Sequence, residues 1–253
     1  MTGNSGQPWI NPTWDAPANV VALTSIRWHS VSGSDADFNL AAHVGDNPAT
    51  VQRNREQLQQ HLGGQVDFQW LEQVHGTRVV QAQRKGESHQ ADAVFTSEPD
   101  LACCVLTADC LPVFLAARAG NAVAVAHAGW RGLAAGVLEN TVARFPASEE
   151  QLIAWLGPAI GPCHFQVGEE VREAFLDLAD GRSKTALEHC FVADSKPGKY
   201  LADLYRLATV KLTNLGVDVS GGGFCTYCES ERFYSYRRQQ NTGRMASLIY
   251  LKS

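Results

Sequence analysis

Residues 103–133 read CCVLTADCLPVFLAARAGNAVAVAHAGWRGL, and the rest of the chain is organised around them. Two apolar runs, Cys103 to Leu106 continuing through Leu111 to Ala116, and Ala122 to Ala126, flank the turn-forming Arg118-Ala119-Gly120-Asn121. The pattern predicts a β-hairpin. With the loop placed over Ala117 to Gly120, Cys110 stands opposite His127. Opposed residues of an antiparallel pair have Cβ atoms about 5 Å apart and share a face. A thiol beside an imidazole has two chemical readings, zinc coordination or a thiolate activated by a neighbouring base. A third reading is plain packing, because cysteine is among the most buried residue types. Ala128-Gly129-Trp130-Arg131-Gly132 then leads into a helical pattern, Leu133 to Phe145. Such a turn brings backbone N–H groups and a guanidinium toward an anion at a helix N-terminus.

At 253 residues with 45% hydrophobic content, the chain can bury an ample core. The net charge is −5 and the basic residues are scattered, which excludes the Lys/Arg stripe of a nucleic-acid surface. Seven cysteines, with Cys103 and Cys104 adjacent in an apolar run, point to reduced thiols and a cytoplasmic location. The first residues lack the charged and apolar regions of a signal peptide, and no run of 18 apolar residues occurs. No membrane association is expected.

Residues 1–18, with three prolines, form an N-terminal arm or an irregular first strand, and residues 19–253 a single domain. Val20 to Ile26 reads as a strand. Asp46 or Asn47 caps a helix with Pro48 in its first turn, running to about Leu62. Asp67 to Val74 alternates weakly and ends in His75-Gly76, and Ala91 to Thr96 is a further short strand. Gln151 to Leu156 is a buried strand before the irregular Gly157-Pro158-Ala159-Ile160-Gly161-Pro162-Cys163-His164-Phe165. A helix from Gly168 to about Ala179 follows, with Val171, Phe175 and Leu178 on one face, and then a polar surface excursion over 181–199. Tyr200 to Leu215 is an amphipathic helix with Gly216 as its C-cap. A strand from Val217 and a last strand from Met245 to Leu251 close the pattern.

His75 joins Cys110 and His127 as a two-His, one-Cys set. Structural zinc sites use four protein ligands, whereas three leave a fourth position for water or substrate, so one zinc ion in an open site is expected. Cys225-Thr226-Tyr227-Cys228 invites a zinc-ribbon or redox reading. It lacks a second C-x-x-C and a thioredoxin-like context, and is expected to be two unpaired core cysteines.

These motifs carry a resemblance. His75-Gly76, Thr107-Ala108-Asp109-Cys110-Leu111-Pro112-Val113, Ala126-His127-Ala128-Gly129-Trp130-Arg131-Gly132, Gly157-Pro158-Ala159-Ile160-Gly161, Phe233 to Arg238 and Thr242 to Ser247 are similar to the laccase-domain family. That family was first labelled multicopper polyphenol oxidase and later associated with purine nucleoside phosphorylase and adenosine deaminase activity. The resemblance, over about residues 20–251, implies zinc ligands at His75, Cys110 and His127. It also implies a single α/β domain with mixed β-sheets covered by helices, likened to deamidating bacterial-toxin domains that use a Cys-His pair. The chain departs from the family's usual Arg-x-Gly-Gly-Val-Ser at Arg27-Trp28-His29-Ser30-Val31-Ser32, has Gln166 where a Glu is usual, and carries an unusual Cys228.

The implied activities weigh differently on the residues. Multicopper sites consume many imidazoles, often as H-x-H, yet no two of the eight histidines lie two residues apart, and Met245 is the one methionine beyond the initiator. Copper as a multicopper cluster is therefore not expected. The H-x-E and P-C-x-x-C signature of cytidine-type deaminases is absent. Phosphorolysis of nucleosides of the adenosine, inosine, guanosine and S-methyl-5'-thioadenosine class needs cationic groups around phosphate. Arg131 is the first candidate, and Arg237 and Arg238 the second. Asp109 and His43 are candidates for proton transfer or for supporting a ligand. The expected partners are a small nucleoside and phosphate; the oligomeric state is not legible. One alternative is a Cys-His hydrolase acting on an amide, with Cys110 as nucleophile and His127 as base; family members are also linked to editing of peptidoglycan precursors. A second is a non-enzymatic zinc-binding protein.

Overall fold

The central hairpin forms, one residue later in its loop than expected. The computed structural model describes residues 8–28, 38–84, 87–146, 151–179 and 183–253; His29 to Ser32 of the departing motif lie outside them. Strands Leu111–Ala117 and Val123–Ala128 pair with Val123 opposite Ala116 and His127 opposite Pro112. Ala117 and Ala122 close the loop. Gly120, at φ +71°, supplies the left-handed residue inside that loop rather than at its end. Moving the loop by one residue changes the pairing by two, so every side chain keeps its face. Cys110 therefore lies just beyond the last pair, Ala128 with Leu111, and on the same face as His127.

The long first run also divides. Leu101–Thr107 and Leu111–Ala117 are separate strands in separate sheets, broken at Ala108-Asp109-Cys110, where Asp109 takes φ +91°. One sheet has five strands in the order Trp9–Ile10, Val20–Ser25, Met245–Leu251, Leu101–Thr107, Asp67–Gln69. The other has six, in the order Asp218–Gly221, Leu152–Leu156, Leu111–Ala117, Val123–Ala128, Ala93–Thr96, Val79–Gln81. Both mix parallel and antiparallel pairs. A three-stranded sheet (Gln166–Gly168, Lys199–Ala202, Phe191–Ala193) and a strand pair (Leu71–Glu72 with His89–Gln90) lie beside them.

The two large sheets face one another. Cys103, Val105 and Ile249 of the first pack against Phe114, Val125 and Trp155 of the second. Leu58 of helix Pro48–His61 covers the outer face of the first sheet with Cys104 and Leu248. Leu138, Phe175 and Leu207 cover the outer face of the second, with Leu115 and Ala126. Strands sandwiched on both faces bury every residue, which is why Leu101–Thr107, Leu111–Ala117, Val123–Ala128 and Met245–Leu251 read as near-continuous apolar runs rather than alternating ones. The result is a single mixed α/β domain with several sheets and few helices.

Asn47 caps the first helix, accepting from the Ala49 N–H. Four other expectations change. The segment after His127 is two short helices, Trp130–Ala135 and Val137–Val142, because Gly136 adopts φ +102° between them. The next helix spans Glu169–Leu176, and Leu178 beyond it is exposed. The excursion over 181–199 contains helix Lys184–Glu188 and strand Phe191–Ala193. Tyr200 and Leu201 belong to a strand, so the amphipathic helix begins at Leu204, with Asp203 as its cap accepting from the Arg206 N–H. Helical spacing in the sequence could not see that Leu201 pairs with Gln166 and Val192.

Candidate active site

Three chain segments deliver His75, Cys110 and His127 to one point, where their ligand atoms all lie within 4.8 Å of one another. His127 is held by its strand. Cys110 sits at the crossing between the two sheets. His75 sits on a loop at φ +60°, an uncommon conformation for a non-glycine residue. That loop is pinned by Asp92, whose carboxylate accepts from the backbone N–H groups of Val74 (3.3 Å), His75 (2.9 Å) and Gly76 (2.6 Å). Gln73 ties the same loop to the neighbouring strand, donating to the Leu106 carbonyl and accepting from its N–H.

Asp92, fully buried, also lies 2.8 Å from His127 Nδ1. This bond fixes the proton on Nδ1 and turns Nε2 toward Cys110 and His75. In the sequence Asp92 stands inside the short strand Ala91 to Thr96 with no motif around it. Its signal was a carboxylate inside the apolar run Ala91 to Phe95, where only a strongly bonded charge is tolerated. Burial pushes the Asp92 carboxyl up, but the bonds from His127 and the backbone outweigh it and hold it below the usual carboxylate range. Burial likewise pushes the Cys110 thiol up; His127 and His75 beside it overcome that and bring it down to about 6. His127, which burial alone would lower, is raised to about 9 by Cys110 and Asp92. Without metal the pair is thus a thiolate and an imidazolium at neutral pH.

Two imidazoles and a thiolate fit one tetrahedral ion bound by nitrogen and sulfur. The space is kept by Gly129, where a Cβ would stand 2.9 Å from His75 and 3.1 Å from Cys110 Sγ. Gly132 lets the following helix approach, since a Cβ there would come 2.6 Å from the Gly76 carbonyl oxygen.

The three residues open into a cavity of about 450 Å³, within the range of small-molecule sites. His43, Asp109, Arg131 and Arg237 also line it, joined by Gln73, Trp130, Phe165, Tyr236 and Arg244, for which the sequence carried no functional signal. Arg131 is exposed, with its guanidinium 4.4 Å from the Trp130 ring. The helix behind it has only six residues, so the guanidinium rather than a long helix dipole supplies the positive charge there. Arg237 lends one nitrogen to the carbonyls of His164 and Gln166. Arg238 does not line the cavity: its guanidinium donates to the carbonyls of Thr226, Tyr227 and Phe233, and it acts as a loop clamp. Asp109 is tethered, accepting from the Thr226 hydroxyl and the Arg237 N–H, both at 2.6 Å. Its geometry is that of a positioning residue. Burial, then the charges of Arg244 and Arg55, lower the pKa of His43, so its ring is neutral at pH 7. A second cavity, lined by Arg27, Asn39, Tyr234 and Thr242 among others, contains none of the three ligands.

The chain is 48% identical over 246 residues to a purine nucleoside phosphorylase of Pseudomonas aeruginosa, covering 96% of this chain and 98% of that protein. It is 49% identical over 249 residues to the purine nucleoside phosphorylase YfiH of Escherichia coli, covering 96% and 98%. Among solved structures, a Neisseria meningitidis protein superposes with a TM-score of 0.87 at 45% identity, covering 98% of this chain and 100% of that one. YlmD from Geobacillus stearothermophilus superposes with a TM-score of 0.86 at 27% identity, covering 99% and 98%. The family described as multi-copper polyphenol oxidoreductase laccase matches residues 21–252, and the chain belongs to that family.

Proposed function

We propose that the protein is a zinc-dependent purine nucleoside phosphorylase with adenosine deaminase activity at the same centre, acting on nucleosides of the adenosine, inosine, guanosine and S-methyl-5'-thioadenosine class. The observation that carries the reading is the convergence of His75, Cys110 and His127 with Arg131, Arg237 and Arg244 on one cavity. The names of the relatives support it. His75, Cys110 and His127 would hold one zinc ion, which supplies a Lewis acid where charge develops.

The chain's own groups account for the remainder. In phosphorolysis a phosphate oxygen bonds to the anomeric carbon as the N-glycosidic bond breaks and its electron pair leaves with the purine. Arg131, Arg237 and Arg244 bind and orient the phosphate. Neutral His43 can accept or relay a proton. Asp109, held by Thr226 and Arg237, fixes the wall that carries Arg237. Residues 19–253 are the catalytic unit, acting in the cytoplasm on small molecules. Inosine turnover measured against phosphate concentration tests the reading, with ribose 1-phosphate as the expected product. Absence of that product, or cleavage indifferent to phosphate, overturns it.

One observation favours a second reading. Cys110, His127 and Asp92 are arranged as nucleophile, base and orienting carboxylate, with the thiol already lowered, as a Cys-His hydrolase of the deamidating-toxin kind requires. The reactivity of Cys110 with and without metal separates the two.

A further inference from the structure

A second cluster lies outside the cavity. Cys163 and His164 come from the loop after strand Leu152–Leu156, and Cys225 and Cys228 from the loop after strand Asp218–Gly221. The C-x-x-C thus finds its other half in a Cys-His step some 60 residues earlier, not in a second C-x-x-C. Nor is it in the core: Cys228 is exposed and Cys225 only half-buried.

From the geometry we propose that Cys163, His164, Cys225 and Cys228 form a second metal site, a closed Cys₃His site for a soft tetrahedral cation such as Zn²⁺. All four ligand atoms lie within 4.8 Å of one another. Cys163 Sγ is 3.7 Å from Cys225 Sγ and 3.6 Å from Cys228 Sγ. His164 Nδ1 is 3.2 Å from both Cys163 Sγ and Cys228 Sγ. Metal–sulfur bonds of about 2.3 Å and metal–nitrogen bonds of about 2.0 Å at tetrahedral angles place sulfurs about 3.8 Å apart and nitrogen about 3.5 Å from sulfur. The observed spacings are close to those, and far from the roughly 2.05 Å of a disulfide.

The surroundings are those of a built site. The Gly161 N–H donates to Cys225 Sγ at 3.3 Å, as expected around a thiolate ligand. A Cβ at Gly161 would lie 3.1 Å from Cys225 Cβ and 3.2 Å from its sulfur, so glycine lets the two loops approach without pushing Cys225 back. The Tyr227 ring stacks on His164 with centroids 4.1 Å apart, locking the imidazole plane. Four protein donors leave no position for substrate, so the role is structural. The site staples two loops that carry Thr226, Arg238 and the His164 carbonyl that accepts from Arg237, and so braces one wall of the cavity.

Metal analysis of zinc-replete protein, purified under reducing conditions, tests this. The intact chain should contain two equivalents of zinc, Cys228→Ser one, and Cys110→Ala one, held by the second cluster. Cys228→Ser retaining both equivalents, or Cys110→Ala retaining none, overturns the site. Should Cys228→Ser fail to fold, alkylation of the intact protein mapped by mass spectrometry still decides. Cys163 and Cys228, although exposed, should resist labelling until a chelator is added. Immediate labelling of either, or a disulfide among Cys163, Cys225 and Cys228, overturns the proposal.

Discussion

The two sulfur-imidazole clusters differ in what holds them. His127 stands on a strand buried on both faces, and Asp92 behind it braces both its ring and the His75 loop. The Cys163 cluster has no strand: its four residues lie on two loops, held by their mutual contacts, the Gly161 N–H, the Tyr227 ring on His164 and the Glu229 carboxylate, which accepts from the Cys225 N–H but reaches no ligand side chain as Asp92 reaches His127. Three donors facing a cavity leave room for chemistry, whereas four donors facing one another leave none. A rigid framework can hold an open site in readiness. A loop site is made by its ion, and its contribution appears as order in the loops.

The largest effect expected of this contrast is on activity at the first cluster. Cys110→Ala should lower phosphorolysis by roughly a thousandfold, the equivalent of about 4 kcal/mol of transition-state stabilisation. Its thermal unfolding should shift little, because a core of this size does not depend on the ion. A melting curve as damaged as the rate would show that the first cluster is structural.

The next effect is on thiol reactivity in metal-free protein. A thiol lowered to about 6 keeps its thiolate at pH 7 and loses it only as pH falls through 6. At pH 7 that is roughly thirty times the thiolate of an ordinary thiol titrating at about 8.5, so alkylation of Cys110 should be fast and should decline below pH 6. Zinc should suppress it. Equal alkylation with and without zinc would favour the nucleophile reading.

Asp92→Asn should weaken zinc binding at the first cluster by roughly ten- to a hundredfold, as loss of an orienting partner does. Titration with a metal indicator measures this. Unchanged affinity would mean that the strand alone orients His127, and the contrast between the clusters would narrow.

Arg131→Lys, the mildest change, should keep zinc and fold and weaken phosphorolysis by roughly tenfold, because an ammonium replaces a planar fork poorly at a phosphate. Adenosine deamination, which needs no phosphate, should fall less. An equal fall in both reactions, or an unchanged phosphate dependence, would transfer the phosphate role to Arg237 and Arg244.

What the sequence disclosed follows the same division. The face shared by Cys110 and His127 was legible because side chains alternate along a strand, and an error of two in pairing preserves the face even where it misplaces the partner. The last strand, Met245 to Leu251, was legible from its unbroken apolar run. Asp92 stood out only as a carboxylate inside an apolar run; its role was hidden because its partners, three backbone groups 16 to 18 residues away and the His127 ring 35 residues away, come together only in the fold. The break at Asp109 was hidden too, since sheet membership depends on Leu106 pairing with Ala246, a contact across most of the chain. Cys225 and Cys228 were misread as core because their complement lies on another loop.

The placement of Met245–Leu251 has a consequence for how the molecule is made. It lies between Val20–Ser25 and Leu101–Thr107, paired to both, yet it is synthesised long after either. Until it arrives, two apolar strands face each other across a gap with unpaired edges, the kind of surface that recruits chaperones or strands of another chain. A ribosome paused before Met245 would therefore hold a chain with one sheet split in two. Closure of that sheet is the long-range, slow step expected to limit folding.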